Sequence, residues 1–159
     1  TGELIEKVLA GSLDLALVAD PLADERLVIK PIFVEELVMV SAKGKALIKS
    51  AKDLPLNPVL LGFSQQCAYR SRLTQWLLAG GRIPKAMEIN SYHTLLSCVA
   101  AGMGVGMVPK KLVEDYPFAQ SIQVHPLPKK WSTTKTAVIW RKDRSSVNND
   151  AFFECLSQS

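Results

Sequence analysis

Cysteine and histidine are scarce in this sequence, and each shortage closes off a line of interpretation. Among 159 residues there are three cysteines, Cys67, Cys98 and Cys155, an odd count with no CxxC pair. That argues for a reducing compartment and against a disulfide-stapled scaffold. Only two histidines occur, His93 and His125, far apart in sequence, so no Cys/His zinc site is expected. HExxH and GxSxG are missing, and no carboxylate pair stands in an apolar context, so the chain is not read as an enzyme. No apolar run approaches the ~18 residues of a membrane span. The opening residues Thr1 to Lys7 read as a helix start and lack the basic-then-apolar pattern of a signal peptide, so a cytoplasmic protein is expected. Charge of one sign is also lacking: Lys+Arg 19 against Asp+Glu 15 gives +4. The basic groups Lys43-Gly44-Lys45, Lys110-Lys111, Lys129-Lys130 and Arg141-Lys142-Asp143-Arg144 are scattered. A nucleic-acid face gathers its cations on one stripe with aromatics between them, so these are read as solvated loops.

Apolar residues are plentiful at 48%, enough to exclude a disordered chain. Helical and strand-like patterns alternate, the signature of an α/β fold with a mostly parallel sheet. Thr1 is expected to cap a helix with Leu4, Ile5, Val8 and Leu9 on one face, ended by Gly11. Strands are expected at Leu13–Val18, Leu27–Phe33 and Glu36–Ser41, the last two split by Pro31 and the acidic pair Glu35-Glu36. Pro58–Phe63 reads as a buried strand. The polar loop from Ser64 to Cys67 then opens a helix with Leu73, Trp76 and Leu77 inward, stopped by Gly80-Gly81. After a strand at Ala86–Asn90, Ser91 caps a helix carrying Leu95, Leu96 and Val99. Gly102 ends that helix before the strand Val105–Pro109. A short helix near Lys111–Glu114, strands at Ile122–Leu127 and Thr136–Trp140, and a last helix, Asn148–Leu156, complete the pattern. The last helix is expected to bury Ala151, Phe152, Cys155 and Leu156.

Ligands of α/β folds sit beyond the carboxyl ends of the strands, where helix N-termini offer unpaired N–H groups. Thr1, the Ser64–Tyr69 loop and Ser91 occupy such places and suit a carboxylate or another small anion. The glycines of Gly102-Met103-Gly104-Val105-Gly106 follow a helix and enter a strand, the reverse of a phosphate-binding loop, so they read as a terminator and packing sites.

Four segments together resemble the effector-binding domain of LysR-type transcriptional regulators. Thr1–Leu17 is similar to its helix–strand opening, Ile32–Val40 to a strand crossing between lobes, and Val138–Arg144 to a return strand. The most specific is Asn90–Pro109, ending Gly102-Met103-Gly104-Val105-Gly106-Met107-Val108-Pro109. The resemblance implies a type II periplasmic-binding-protein-like fold, with two Rossmann-like lobes of mostly parallel strands joined by two crossing strands. Residues 1–37 and 128–159 would form one lobe and 38–127 the other. It further implies a small-molecule effector bound between the lobes, with Gln66, Cys67, Ala68 and Tyr69 at the matching positions and Ser64 and Gln65 just before them; the helix starts at Thr1 and Ser91, with Arg70 or Arg72, favour an anion. No cofactor is implied. Promoter DNA and RNA polymerase would be reached only through the full-length protein, whose winged helix-turn-helix is absent here. The strand–helix–strand that precedes Thr1 in the family is also absent. A homodimer or homotetramer would pair the helices at Gly2–Ala10 and Tyr69–Leu78. Two other expectations remain open: a solute-binding protein for transport, and a redox sensor acting through Cys67, where peroxide-sensing relatives carry a reactive cysteine.

Overall fold

The computed structural model describes residues 1–44, 46–144 and 147–157; of the basic groups above, Lys45 lies outside them. The described residues fall into two units. Thr1–Val34 with Lys135–Ser159 form unit 1, and Glu35–Thr134 form unit 2.

In unit 1, helix α1 (Gly2–Leu9) places Val8 against Ala16 and Val18 of strand β1 (Leu15–Ala19), with Leu27 and Ile139 completing the core. Gly11, at φ +76°, adopts the left-handed conformation that turns the chain out of the helix. Thr1 stands at the N-cap, but its side chain makes no capping bond; the hydroxyl donates to the Ala19 carbonyl at 3.1 Å. Strand β1 pairs with β7 (Thr133–Arg141) from Leu15↔Trp140 to Ala19↔Thr136. This pairing is antiparallel, so the parallel arrangement expected of both lobes is not carried by this pair. The Arg141 guanidinium donates to the Leu9 carbonyl at the C-terminus of α1 and pairs with Asp143. At that helix end a cation also opposes the dipole.

The last helix, α6 (Val147–Ser157), corrects the face expected from its apolar residues. Ala151, Cys155 and Leu156 are exposed, Phe152 is half-buried, and Asn149 is buried. The inward face follows Phe153, whose ring meets Trp140 edge-on at 5.3 Å and takes the Lys30 ammonium at 4.0 Å. That one aromatic anchor sets the rotation of the helix.

Strand β2 (Leu27–Ala42) has residues in both units and is one 16-residue strand, where two were expected. Pro31 lies outside its ladders with β5 (Val105–Pro109) and β6 (Ile122–His125), which engage Leu37 to Ala42. In unit 2, β2 lies between β5 (Val105–Pro109) and β6 (Ile122–His125), antiparallel to both. Strand β3 (Val59–Gly62) runs parallel to β5 and to β4 (Lys85–Glu88). The sheet of unit 2 is therefore mostly parallel, with β2 the reversed strand.

Side chains alternate between its two faces. On one face, Leu37, Met39, Leu60 and Met107 pack against Leu73, Trp76 and Leu77 of α2 (Ala68–Ala79). On the other, Val38, Val40 and Leu61 meet Leu95, Leu96 and Val99 of α3 (Tyr92–Ala100), with Val113 of α4 (Lys110–Glu114). The glycines after α3 have the packing role expected of them. A Cβ on Gly104 would lie 2.5 Å from the Val59 carbonyl oxygen, and one on Gly106 2.9 Å from a Leu95 methyl. Helix α5 (Lys129–Ser132), one turn long, has no counterpart in the sequence pattern.

Candidate functional site

Strands β3 and β4 deliver their chains to the same end of the unit 2 sheet, and the helices that follow begin there. After β3, Ser64, Gln65 and Gln66 form an exposed turn closed by the Cys67 N–H on the Ser64 carbonyl at 3.0 Å. Cys67 is the N-cap of α2 and is half-buried, with no side-chain capping bond. Tyr69 follows in the first helical turn. After β4, Ser91 is the N-cap of α3, likewise without a side-chain capping bond, and Tyr92 is the first helical residue. Strand β2 brings Glu35 to this end, two residues before its ladder with β5 begins at Leu37.

These elements build one polar group of residues. The Tyr69 hydroxyl donates to Oε2 of Glu35 at 3.1 Å. Tyr92 meets the Phe63 ring edge-on, 4.7 Å between centroids. Burial, reinforced by the charges of Glu35 and Cys67, drives the Tyr69 phenol well above its ordinary value and pushes that of Tyr92 up to about 12. Both phenols therefore stay protonated and available as donors at neutral pH.

Of the residues selected from sequence, Cys67, Tyr69 and Ser91 lie in or directly beside this group, and Ser64, Gln65 and Gln66 rim it on the preceding turn. Thr1 belongs to unit 1. Arg70 and Arg72 do not serve as free anion partners. Arg70 donates to the Phe63 carbonyl at 2.7 Å and meets Glu88 at 3.3 Å. Arg72 donates to the Thr133 and Trp131 carbonyls at 2.6 and 3.3 Å, tying α2 to the segment after β6. His93 is exposed, its ring edge-on to Tyr116 at 5.9 Å.

Glu35 and Tyr92 are the site residues that sequence reasoning missed. Tyr92 could have been found from its place beside Ser91 at a helix start. Glu35 carried no such signal, since its partner is 34 positions away. A second polar group was also missed. His125 is fully buried on β6, and its Nδ1 accepts the Ile48 N–H at 3.0 Å. Its Nε2 therefore carries the hydrogen and donates to Ser41 Oγ at 2.7 Å, and Ser41 in turn donates to the Ala42 carbonyl. Burial lowers the His125 pKa. Beyond the amino ends of β3 and β5 lies a mostly apolar cavity of about 210 Å³, lined by Ile48, Leu54, Val59, Met103 and Val105 among others. None of the sequence-selected residues lines it.

Among the described residues, no group of three His, Cys, Asp or Glu side chains could hold a metal ion, and no helix is long and apolar enough to cross a membrane.

Comparison with known proteins agrees with this architecture. The transcriptional regulator CzcR of Bacillus subtilis is 37% identical over 150 residues, covering 94% of this chain and 51% of the regulator. The regulator GltR of the same organism is 30% identical over 144 residues, covering 90% of the chain and 48% of its own length. The chain thus spans about half the length of the regulators it matches. Among solved structures, the reduced OxyR regulatory domain of Pseudomonas aeruginosa matches with a TM-score of 0.73 and 22% identity, over 99% of this chain and 75% of that one. The regulatory domain of MetR from Neisseria meningitidis, a LysR family regulator, matches with a TM-score of 0.73 and 19% identity, over 91% and 72%. The neighbours share the type II periplasmic-binding-like fold. The family model described as LysR substrate binding domain matches residues 1–159, and the chain belongs to that family.

Proposed function

We propose that this chain senses a small-molecule effector for a transcriptional regulator, and that the effector contacts the carboxyl end of the unit 2 sheet. The observation that carries this reading is the convergence of Glu35, Cys67, Tyr69 and Tyr92, polar and half-buried, at the starts of α2 and α3. Ser64, Gln65, Gln66 and Ser91 supply further donors and acceptors there. Thr1, in unit 1, gives its hydroxyl hydrogen to the Ala19 carbonyl. The domain performs no catalysis in this reading and needs no metal or cofactor. In the whole protein, which works in the cytoplasm, effector binding shifts the population of two states of a homodimer or homotetramer and so its hold on promoter DNA and its dealings with RNA polymerase. Subunits pair through α1 and α2; Leu78, 52% exposed on α2, supports this.

A thermal-shift screen of amino acids, small carboxylates, amines and inorganic anions tests the reading. A ligand present at about a hundred times its dissociation constant adds ~2.7 kcal/mol, several degrees for a domain of this size. A stabilising compound whose effect disappears in Tyr69→Ala supports the site. A response that survives both Tyr69→Ala and Tyr92→Ala places the effector elsewhere.

A further inference from the structure

The apolar cavity beyond the amino ends of β3 and β5 takes no part in the effector site proposed above. We propose that it is a second ligand site, for a small uncharged molecule with a compact apolar body and a polar group at one end.

The cavity opens where the ladders of β5 stop. Strand β5 pairs with β2 as far as Val40↔Gly106 and with β3 as far as Leu60↔Val105. The space beyond those pairs is bounded by Ser41 and Ala42 at the end of β2, by Gly102 to Gly104 before β5, and by the segment that leads from Leu54 to β3. Its volume of about 210 Å³ exceeds the ~150 Å³ of an engineered apolar cavity that stays dry and takes up benzene. Burial runs from floor to rim. Ile48 and Val105 are buried, whereas Asn57 is exposed and Met103 is 45% exposed. A ligand can therefore enter from solvent and have its apolar body covered.

Backbone hydrogen bonds hold each wall from outside the cavity. The Ile48 N–H is given to His125 Nδ1 at 3.0 Å, and the Leu54 carbonyl accepts the Arg82 guanidinium at 2.7 Å. On the third side the Met103 N–H reaches back to the Cys98 carbonyl at 3.1 Å, with Gly102 at φ +81° closing α3. Walls fixed in this way leave a ligand little ordering to supply, so its burial is not offset by the entropy of assembling the site.

The chemistry of the lining selects the ligand. Among the described residues, none of those lining the cavity has a charged side chain. An ionised group entering it would give up water and gain no partner of opposite charge. The Ser41 hydroxyl is already engaged, accepting from His125 and donating to the Ala42 carbonyl. The Asn57 amide at the rim offers both a donor and an acceptor to a hydroxyl or carbonyl. Ile48, Leu54, Val59 and Val105 supply the apolar wall, and Met103, unbranched and polarizable, adapts the mouth to a ring or a branched chain. The ligand thus lies apolar end first, with its polar group beside Asn57.

Calorimetric titration and methyl NMR of the chain test the proposal. Benzyl alcohol and cyclohexanol are the neutral probes, benzylammonium and benzoate carry a charge on a similar body, and glycerol has no apolar body. The two alcohols are expected to bind and to shift the methyl signals of Ile48, Leu54, Met103 and Val105. The other three should bind at least about tenfold more weakly. Ala42→Leu, which sets a larger side chain at the edge of the void, should weaken the alcohols at least about tenfold. Their binding should survive Tyr69→Ala, which removes the effector site instead. The methyl shifts need no variant, so they decide the matter should Ala42→Leu fail to fold. Alcohol binding that shifts only signals around Tyr69 and Tyr92, and is lost in Tyr69→Ala, belongs to the effector site and overturns the second one. Charged probes that bind as tightly as the alcohols overturn the uncharged class. No binding of either alcohol at about 10 mM overturns the site.

Discussion

Unit 2 contains two polar groups of opposite construction. His125, Ser41 and Ile48 form a closed series in which each polar atom has its partner, and His125 itself is fully buried. Glu35, Cys67, Tyr69 and Tyr92 are half-buried, with the Tyr69 hydroxyl donating to Glu35. The first group covers an outer strand: β6 has β2 on one side, and the imidazole takes up the Ile48 N–H from the segment laid over it. The second stands where two helices begin, with aromatic faces and donors that water can still reach. Saturation under full burial gives stability, and incomplete burial leaves capacity for a ligand. In the proposed reading, stability and binding thus fall to separate residues of the same sheet.

Substitutions can test that separation, and the largest effect is expected at the buried group. His125→Leu strands the Ile48 N–H and a Ser41 hydroxyl, and should cost about 1–3 kcal/mol in urea unfolding while leaving effector affinity unchanged. Loss of affinity with little loss of stability would break the comparison. Next comes Arg72→Met, which removes a charged donor from the carbonyls of Trp131 and Thr133. About 1–2 kcal/mol of destabilisation is expected, again without loss of binding. Were Arg72 an anion partner instead, affinity would fall and stability would hold.

Acid should separate the groups as well. His125 has its folded pKa below the unfolded value, so the unfolded chain binds the proton more readily. Its contribution to stability is complete above the ordinary histidine range and declines as the pH falls through the depressed folded value. Melting temperatures measured across that range should drop toward acid, and the drop should be reduced in His125→Leu. The smallest effect is expected of Cys67→Ser. Half-buried and without a capping bond, this side chain should be replaceable within about 0.5 kcal/mol with the effector response retained. Loss of the response, together with selective modification by mild peroxide, would revive the redox reading.

The alternation of helix and strand was legible because it is local. Gly11, Gly81 and Gly102 all stand at helix ends with positive φ, and Leu73, Trp76 and Leu77 are buried on α2 as their spacing indicates. Legibility failed where a distant partner decides. The face of α6 is set by Trp140 and Lys30, the continuity of β2 by which residues its neighbours pair with, and the orientation of Arg72 by carbonyls some 60 positions downstream. The loop at Ser64–Tyr69 could be located from sequence as the polar start of a helix. The bond from Tyr69 to Glu35 could not, because the sequence shows Glu35 only as half of an acidic pair between two strands.

Unit 1 is assembled from the two ends of the chain, and this imposes an order on its assembly during synthesis. The pairing of Leu15 with Trp140 joins residues separated by nearly the whole sequence, whereas unit 2 is a continuous stretch, Glu35–Thr134. Unit 2 is therefore synthesised ahead of most of β7. Helix α1 and strand β1, made before unit 2, must wait with one edge unsatisfied, and closure of so long a loop is slow by its nature. The wait of α1 and β1 therefore ends only when residues 135–141 become available for pairing.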